Sequence, residues 1–167
     1  YCSVEIDVCE ILVQAFEKET GIDIAMTRKS SGETFAQIKA EGSNPKGDVW
    51  FGGTGDPHLT ASQEGLTYEY KSIHFDDLLP AAQNQAINGA FKTVGIYVGA
   101  LGFGYNKDII KSKGLPEPKS WADLTNPVYK GEIQVANPNS SGTAYTTLAT
   151  ILQIFGEEKG WDYMKAL

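Results

Sequence analysis

The most constraining feature of this chain is a strand–turn–helix pattern built around a turn of small polar residues at positions 137–143. An alternating apolar run at 131–136 precedes the turn, and a long apolar run at 144–155 follows it. This order predicts a strand, a tight turn and a helix. A helix N-terminus carries unpaired N–H groups and a partial positive charge, so the turn is suited to bind an anion. Its candidate binding residues are Ser140, Ser141, Gly142 and Thr143.

The same pattern occurs three more times nearer the N-terminus, at residues 1–19, 22–40 and 48–64. Ligands bind at the carboxyl ends of strands in open α/β sheets, so we predict that the four turns converge on one site. The competing interpretation is four independent helix caps, because Ser, Thr and Asn are the usual capping residues.

Residues 22–28 and 48–51 are predicted to be neighbouring parallel strands of an α/β sheet, because apolar runs alternate with helices. Helices starting near Asp7 and Glu33 are expected to flank them. The first of these helices should run to Glu19 with one apolar face. That face contains Ile11, Leu12, Ala15 and Phe16.

The sequence predicts which residues cap the helices after two of these turns. Ser30 or Ser31, followed by Glu33 or Thr34, resembles a capping box. In the turn at 52–57, Asp56 is the predicted N-cap, and Pro57 is expected at the first helical position.

Composition limits the function classes. The chain has 167 residues, 41% of them apolar, and a formal net charge of −7, so it can bury a core in one domain or two small lobes. The negative charge argues against nucleic acid or an anionic membrane surface as a partner. No apolar run reaches the length of a membrane span, and no signal peptide is present. We expect Tyr1 to lie within the first strand of a trimmed chain, so the missing leader does not bear on export.

The cysteines and histidines give little sign of chemistry. Cys2 and Cys9 are too few for a zinc cluster; two buried free thiols are slightly favoured over a disulfide, which the sequence leaves open. His58, near a helix start, is expected to be a neutral surface residue, and His74 lies in an ordinary loop. We therefore predict no catalytic residue, metal or cofactor.

A glycine-interrupted, β-prone run occupies residues 91–106. A strand crossing between two lobes needs a bend, so residues 98–103, with Gly99 and Gly102, are the hinge candidate. The alternative is a glycine-weakened hairpin. A helix at 107–113 and a helical turn capped by Ser120 are predicted to follow.

Several strings together resemble the extracellular solute-binding proteins of bacterial ABC importers, namely AFEKETGI, SGETFAQIKAEGSNPKGDVWFGG, YVGALGFGYN, GLPEPKSWADL, YKGEIQVANPNSSGTAY and GEEKGWDYMKAL. The resemblance is to the subgroup labelled ferric-iron binding, whose relatives also bind sugar phosphates and phosphonates. It implies a periplasmic-binding-protein-like (type II) α/β fold of two lobes that clamp the ligand. Family members are roughly twice this length. The implied division is a first lobe at 1–98, a hinge crossover at 99–103 and the beginning of a second lobe at 104–167.

The resemblance also implies a ligand cleft, an extracytoplasmic location and the membrane permease of an ABC importer as partner. The expected ligand is a small anionic solute, a phosphorylated sugar or phosphonate, because neutral hydroxyls and N–H donors suit such a dianion. The alternative is ferric iron, which prefers phenolate and carboxylate oxygens. A phosphoryl-handling hydrolase with His58 as base is less favoured, because nucleotide-binding and nucleophile-elbow motifs are absent. The implied cleft residues are Ser3, Ser31, Gly32, Thr54 and Ser140 to Thr143.

Overall fold

The computed structural model describes residues 1–167, and α-helices joined by irregular segments form most of it. The α-helices are α1 (Ile6–Thr20), α2 (Ser31–Glu41), α3 (Gly55–Gln63), α4 (Pro80–Asn88), α5 (Lys107–Lys113), α6 (Gly142–Phe155) and α7 (Glu157–Ala166). Short 3₁₀ helices occur at Phe75–Asp77, Trp121–Thr125 and Pro127–Tyr129.

The N-terminal segment lies between the two segments that were predicted to be neighbouring strands. Cys2 forms parallel bridges with Arg28 on one side and Phe51 on the other. On the first side the Cys2 N–H donates to Thr27 O at 3.0 Å, and on the second the Ser3 N–H donates to Phe51 O at 2.8 Å. The two segments are thus parallel to a shared partner, but the prediction that they are neighbours was wrong.

Cys2 and Cys9 form a disulfide across seven residues, with their Cα atoms 6.1 Å apart. The preference for free thiols was therefore wrong. The sequence pattern gave no distance between the cysteines, whereas the first turn of α1 brings the buried Cys9 back to the buried Cys2. The disulfide ties α1 to the segment that carries Ser3.

The apolar face predicted for α1 is not buried against the rest of this chain. Ile11 is 65% exposed, and Leu12 and Phe16 are also exposed. Cys9 is the buried residue of the helix. The helix ends at Thr20, one residue beyond the predicted Glu19, and the left-handed backbone of Gly21 lets its N–H donate to Glu17 O.

Contacts between Cα atoms divide the chain into two compact units. The first is Tyr1–Gly99 with Asn139–Gly142, and the second is Ala100–Pro138 with Thr143–Leu167. In the first unit α2 and α3 pack together, as do α3 and α4. Thr34 and Ala61 are completely buried there.

The second unit is built around α6 and α7. Ile151 is fully buried, and the rings of Phe155 and Tyr163 stack with centroids 4.9 Å apart. The Tyr163 hydroxyl donates to Trp121 O at 2.6 Å, which fastens α7 to the 3₁₀ helix capped by Ser120. None of the helices is long and apolar enough to cross a membrane.

Removing the Cys2–Cys9 disulfide should lower the free energy of unfolding by about 2–3 kcal/mol, because the bond restricts the unfolded chain. Denaturant unfolding of the protein with and without a thiol reductant measures this difference. The Cys2→Ala/Cys9→Ala variant is the control and should unfold identically in both conditions. Equal unfolding free energies of the unsubstituted protein with and without reductant would contradict the expectation.

Candidate functional site

Ser3 is positioned by its backbone and by two neighbouring side chains. Its N–H donates a hydrogen bond to Phe51 O. The residue directly follows Cys2, which forms the two bridges. Its hydroxyl accepts a hydrogen bond from Nε1 of Trp50 at 2.9 Å and lies 3.1 Å from Oγ1 of the buried Thr34. Ser3 is therefore held at the end of the N-terminal segment, beside α2.

Two neighbouring serines at the start of α2 have different roles, since Ser30 caps the helix and Ser31 contacts another candidate site residue. Ser30 is the N-cap and forms a capping box with Glu33, as predicted. The pKa of Glu33 lies below its usual range, chiefly because the Ser30 side chain and then the Ser30 backbone donate to the carboxylate. Ser31 is the first residue of the helix, is 4% exposed, and accepts a hydrogen bond from the Thr54 N–H at 3.2 Å.

The turn Asn139–Gly142 is fastened to the N-terminus of α2. The Ser140 carbonyl accepts from the Gly32 N–H at 3.0 Å and from the Ser30 hydroxyl at 2.7 Å. A methyl group on Gly32 would collide with Asn139 O, so the close approach requires glycine here. The Gly32 N–H thus serves to hold this turn.

Thr54 has the most unusual environment among the predicted site residues. It is the N-cap of α3 but makes no side-chain capping bond, and its buried Oγ1 has no hydrogen-bond partner. A methyl group on Gly142 would lie 2.5 Å from this oxygen and 2.8 Å from Oγ of Ser31. The backbone of Gly142 therefore lies against both hydroxyls. The prediction that Asp56 is the N-cap and Pro57 the first helical residue was wrong, because the helix begins two residues earlier, at Gly55.

The structure thus brings together most of the predicted site residues within the first unit. These are Ser3, Ser31, Gly32, Thr54, Ser140, Ser141 and Gly142. Gly53 links them, since a methyl group there would lie 3.1 Å from Cβ of Ser3 and would collide with Oγ of Ser31. Thr143 is the second residue of α6 and belongs to the second unit.

Two residues that support this cluster, Trp50 and Tyr97, were not selected from the sequence. Trp50 donates to the Ser3 hydroxyl, and its ring stacks on His58 with centroids 3.7 Å apart. Tyr97 is hydrogen-bonded to the backbone of Gly53. The glycine pair at 52–53 is a sequence signal for a special turn, but it does not indicate which side chains hold that turn.

His58 is half-buried rather than a surface residue, which corrects the sequence prediction. Burial lowers its pKa, and the hydrogen bond between Nε2 and Gly52 O, 2.8 Å long, only partly opposes this effect. The ring therefore stays neutral at pH 7 and serves to hold the Gly52 carbonyl.

The comparison with family models identifies the class of protein to which the chain belongs. It is a member of the bacterial extracellular solute-binding protein family, whose model matches residues 52–167. An uncharacterized protein of Haemophilus influenzae is 44% identical over 168 residues, which is 100% of this chain and 49% of that protein. The phosphoglycerate transport regulatory protein PgtC of Salmonella typhimurium is 27% identical over 113 residues, covering 65% of this chain and 28% of that protein.

Two solved structures match the whole chain. The periplasmic binding protein P5PA does so with a TM-score of 0.95 and 42% identity. The periplasmic binding protein AfuA from Actinobacillus pleuropneumoniae, solved with exogenous fructose-6-phosphate bound, does so with a TM-score of 0.94 and 43% identity. This confirms the predicted periplasmic-binding-protein-like α/β fold. The chain covers 53% of each of these structures and 49% of the Haemophilus protein, which is about half their length.

The depressed pKa of His58 should make stability depend on pH. The folded state binds the His58 proton less readily than the unfolded state, so stability should be lost as pH falls below about 6.5. Thermal or denaturant unfolding between pH 7 and pH 5, compared with His58→Gln, isolates this contribution. The matched control is His74→Gln, at an exposed histidine. A pH dependence that is the same in His58→Gln as in the parent would contradict the assignment.

Proposed function

We propose that the protein is the substrate-binding component of an ABC importer and that it captures a small phosphorylated solute, a sugar phosphate or phosphonate. Membership of the solute-binding family supports the transport role. The ligand class rests on the chemistry of the clustered hydroxyl residues in the first unit.

The observation that carries the ligand class is the orphaned hydroxyl of Thr54. Buried polar atoms are normally hydrogen-bonded, and an unsatisfied one needs an explanation. The Thr54 Oγ1 is buried without a partner beside the Ser31 hydroxyl and the backbone of Gly142. An anion that accepts hydrogen bonds from these groups would give the Thr54 Oγ1 a partner. The structure does not show this oxygen acting as a helix cap.

The electrostatics of the helix termini favour the same ligand. The helices α2 and α3 of the first unit begin at Ser31 and Gly55, adjoining the clustered hydroxyls. Each N-terminus contributes a partial positive charge and outward-pointing N–H groups. Backbone dipoles can therefore attract an anion locally although the chain carries a net charge of −7.

Two relatives support a phosphate ester over ferric iron. AfuA was solved with fructose-6-phosphate bound, and the name of PgtC refers to phosphoglycerate transport. Both compounds carry a phosphate group on a small organic skeleton. Neutral hydroxyl and N–H donors are matched to phosphate oxygens, whereas ferric iron prefers anionic oxygen ligands.

The location and partner follow from the importer role. A solute-binding component acts outside the cytoplasmic membrane and delivers its ligand to the permease subunits in that membrane. The Cys2–Cys9 disulfide agrees with such an oxidising compartment. The protein would bind its solute without converting it, so prolonged incubation should give stoichiometric uptake and no product.

We also propose that residues 99–103, with Gly99 and Gly102, act as a hinge. The boundary between the two compact units falls between Gly99 and Ala100. A Cβ atom added at Gly99 or Gly102 would meet no atom within 4 Å, so local packing leaves room for torsional change. Small-angle scattering of the full-length protein should show compaction when fructose-6-phosphate is added. Identical scattering with and without the compound would exclude this hinge.

Thr54→Val and Ser31→Ala should each weaken binding of fructose-6-phosphate about tenfold or more, because a hydrogen bond to a charged group contributes about 1.5–3 kcal/mol. Calorimetry on the full-length protein measures the change. Thr54 makes no side-chain capping bond, so its substitution removes no helix cap. The matched control is Thr60→Val in the same helix, whose hydroxyl donates to Asp56 O and which should bind normally.

The same titrations separate the alternative ligands. Unchanged affinity for fructose-6-phosphate in both variants, together with tight ferric binding that needs neither hydroxyl, would reject the phosphate-ester proposal in favour of iron. Turnover of a phosphate ester that disappears in His58→Ala would instead indicate a hydrolase.

A further inference from the structure

The turn formed by Gly52, Gly53 and Thr54 needs outside contacts to keep its conformation. Gly52 has φ of 77° and Gly53 has φ of 90°, a region that L side chains rarely adopt. A methyl group on Gly52 would lie 2.5 Å from Cγ1 of Val4, and one on Gly53 would collide with Ser31. Both positions therefore require glycine, the residue that restricts the backbone least.

Side chains from three different elements hold this turn. His58 of α3 binds the first carbonyl of the turn at 2.8 Å, and Ser31 of α2 accepts from the Thr54 N–H at 3.2 Å. Between them, the Tyr97 hydroxyl accepts from the Gly53 N–H at 2.9 Å and donates to the Gly53 carbonyl at 3.0 Å. Both backbone polar groups of the central residue thus depend on one hydroxyl.

Tyr97 is not a core residue. It lies in the segment between α4 and α5 and is 56% exposed, so its ring contributes little to a buried core. The hydroxyl makes the hydrogen bonds between this residue and the turn. Replacement by phenylalanine therefore removes the contact with the Gly53 peptide while keeping the ring.

We propose that Tyr97 is a positioning residue for solute binding, because its hydroxyl fixes the Gly53 peptide and so holds the adjoining Thr54 hydroxyl in place for the anion. The inference rests on the proposed function, in which Thr54 binds the phosphate group. Without the Tyr97 hydroxyl, the glycine turn gains conformational freedom, and ordering it again consumes part of the binding free energy.

Tyr97→Phe should weaken fructose-6-phosphate binding by about 3- to 10-fold, the effect of losing ordinary hydrogen bonds. Calorimetry on the full-length protein measures this change, with the melting temperature recorded in parallel. The matched control is Tyr68→Phe, because the Tyr68 side chain is 95% exposed in the same unit. This control should bind as the parent does.

A double-mutant cycle distinguishes positioning through Thr54 from a general structural role. In a Thr54→Val background, Tyr97→Phe should change the affinity by less than about twofold, because the hydroxyl that it positions is already absent. In a Thr60→Val background, it should retain its full 3- to 10-fold effect. A merely structural role would weaken binding equally in both backgrounds, and that result would overturn the proposal.

The remaining outcomes separate this inference from the proposed function. If Thr54→Val weakens binding but Tyr97→Phe does not, the positioning role is wrong and the anion site stands. If neither Thr54→Val nor Ser31→Ala alters fructose-6-phosphate affinity, the proposed ligand class itself fails, and the positioning role fails with it.

Discussion

The parallel pairing of Cys2 with Arg28 and Phe51 is the constraint on which the candidate site depends. The N-terminal segment pairs on both sides, so it ends at the same edge as the segments that contain Arg28 and Phe51. Ser3 follows Cys2 directly, while α2 and the glycine turn follow the two partners. The backbone hydrogen bonds on either side, 2.8–3.0 Å long, thus place separate parts of the sequence around one small volume.

The same residue types take part in helix capping and in the proposed anion site. Ser30 and Glu33 form the capping box at the start of α2, and the Ser30 hydroxyl also donates to Ser140 O. Ser31 and Thr54 differ, because Ser31 accepts from the Thr54 backbone while the Thr54 hydroxyl is buried without a partner. Helix capping therefore accounts for the contacts between Ser30 and Glu33 but not for the buried Thr54 hydroxyl. A bound anion would give that hydroxyl a hydrogen-bond partner.

Helices were largely predictable from the sequence because their signals are local. The helix at Lys107–Lys113 and the N-cap at Ser120 were predicted correctly, since capping residues and glycine stops lie within a few positions of each other. The predicted cluster of hydroxyl turns also has its counterpart in the contacts among Ser31, Thr54 and Gly142. Their role in binding stays a prediction.

Pairing between distant segments was not predictable in the same way. Local sequence patterns do not indicate which segment lies in the middle, so the insertion of the N-terminal segment between 22–28 and 48–51 was missed. The β-prone run at 91–106 forms no regular strand in the structure, and residues 93–106 belong to no helix, turn or bridge. The support from Tyr97 was missed for a related reason, because 44 residues separate it from Gly53.

The disulfide bears on the order in which the parts of the chain fold. It closes across seven residues, whereas the pairing of Cys2 with Phe51 must bring together residues 49 positions apart. Closing a short loop costs less entropy than closing a long one. Oxidation can therefore anchor the N-terminal segment on α1 before its distant partners arrive. The remaining pairings then assemble on a segment whose freedom is already reduced.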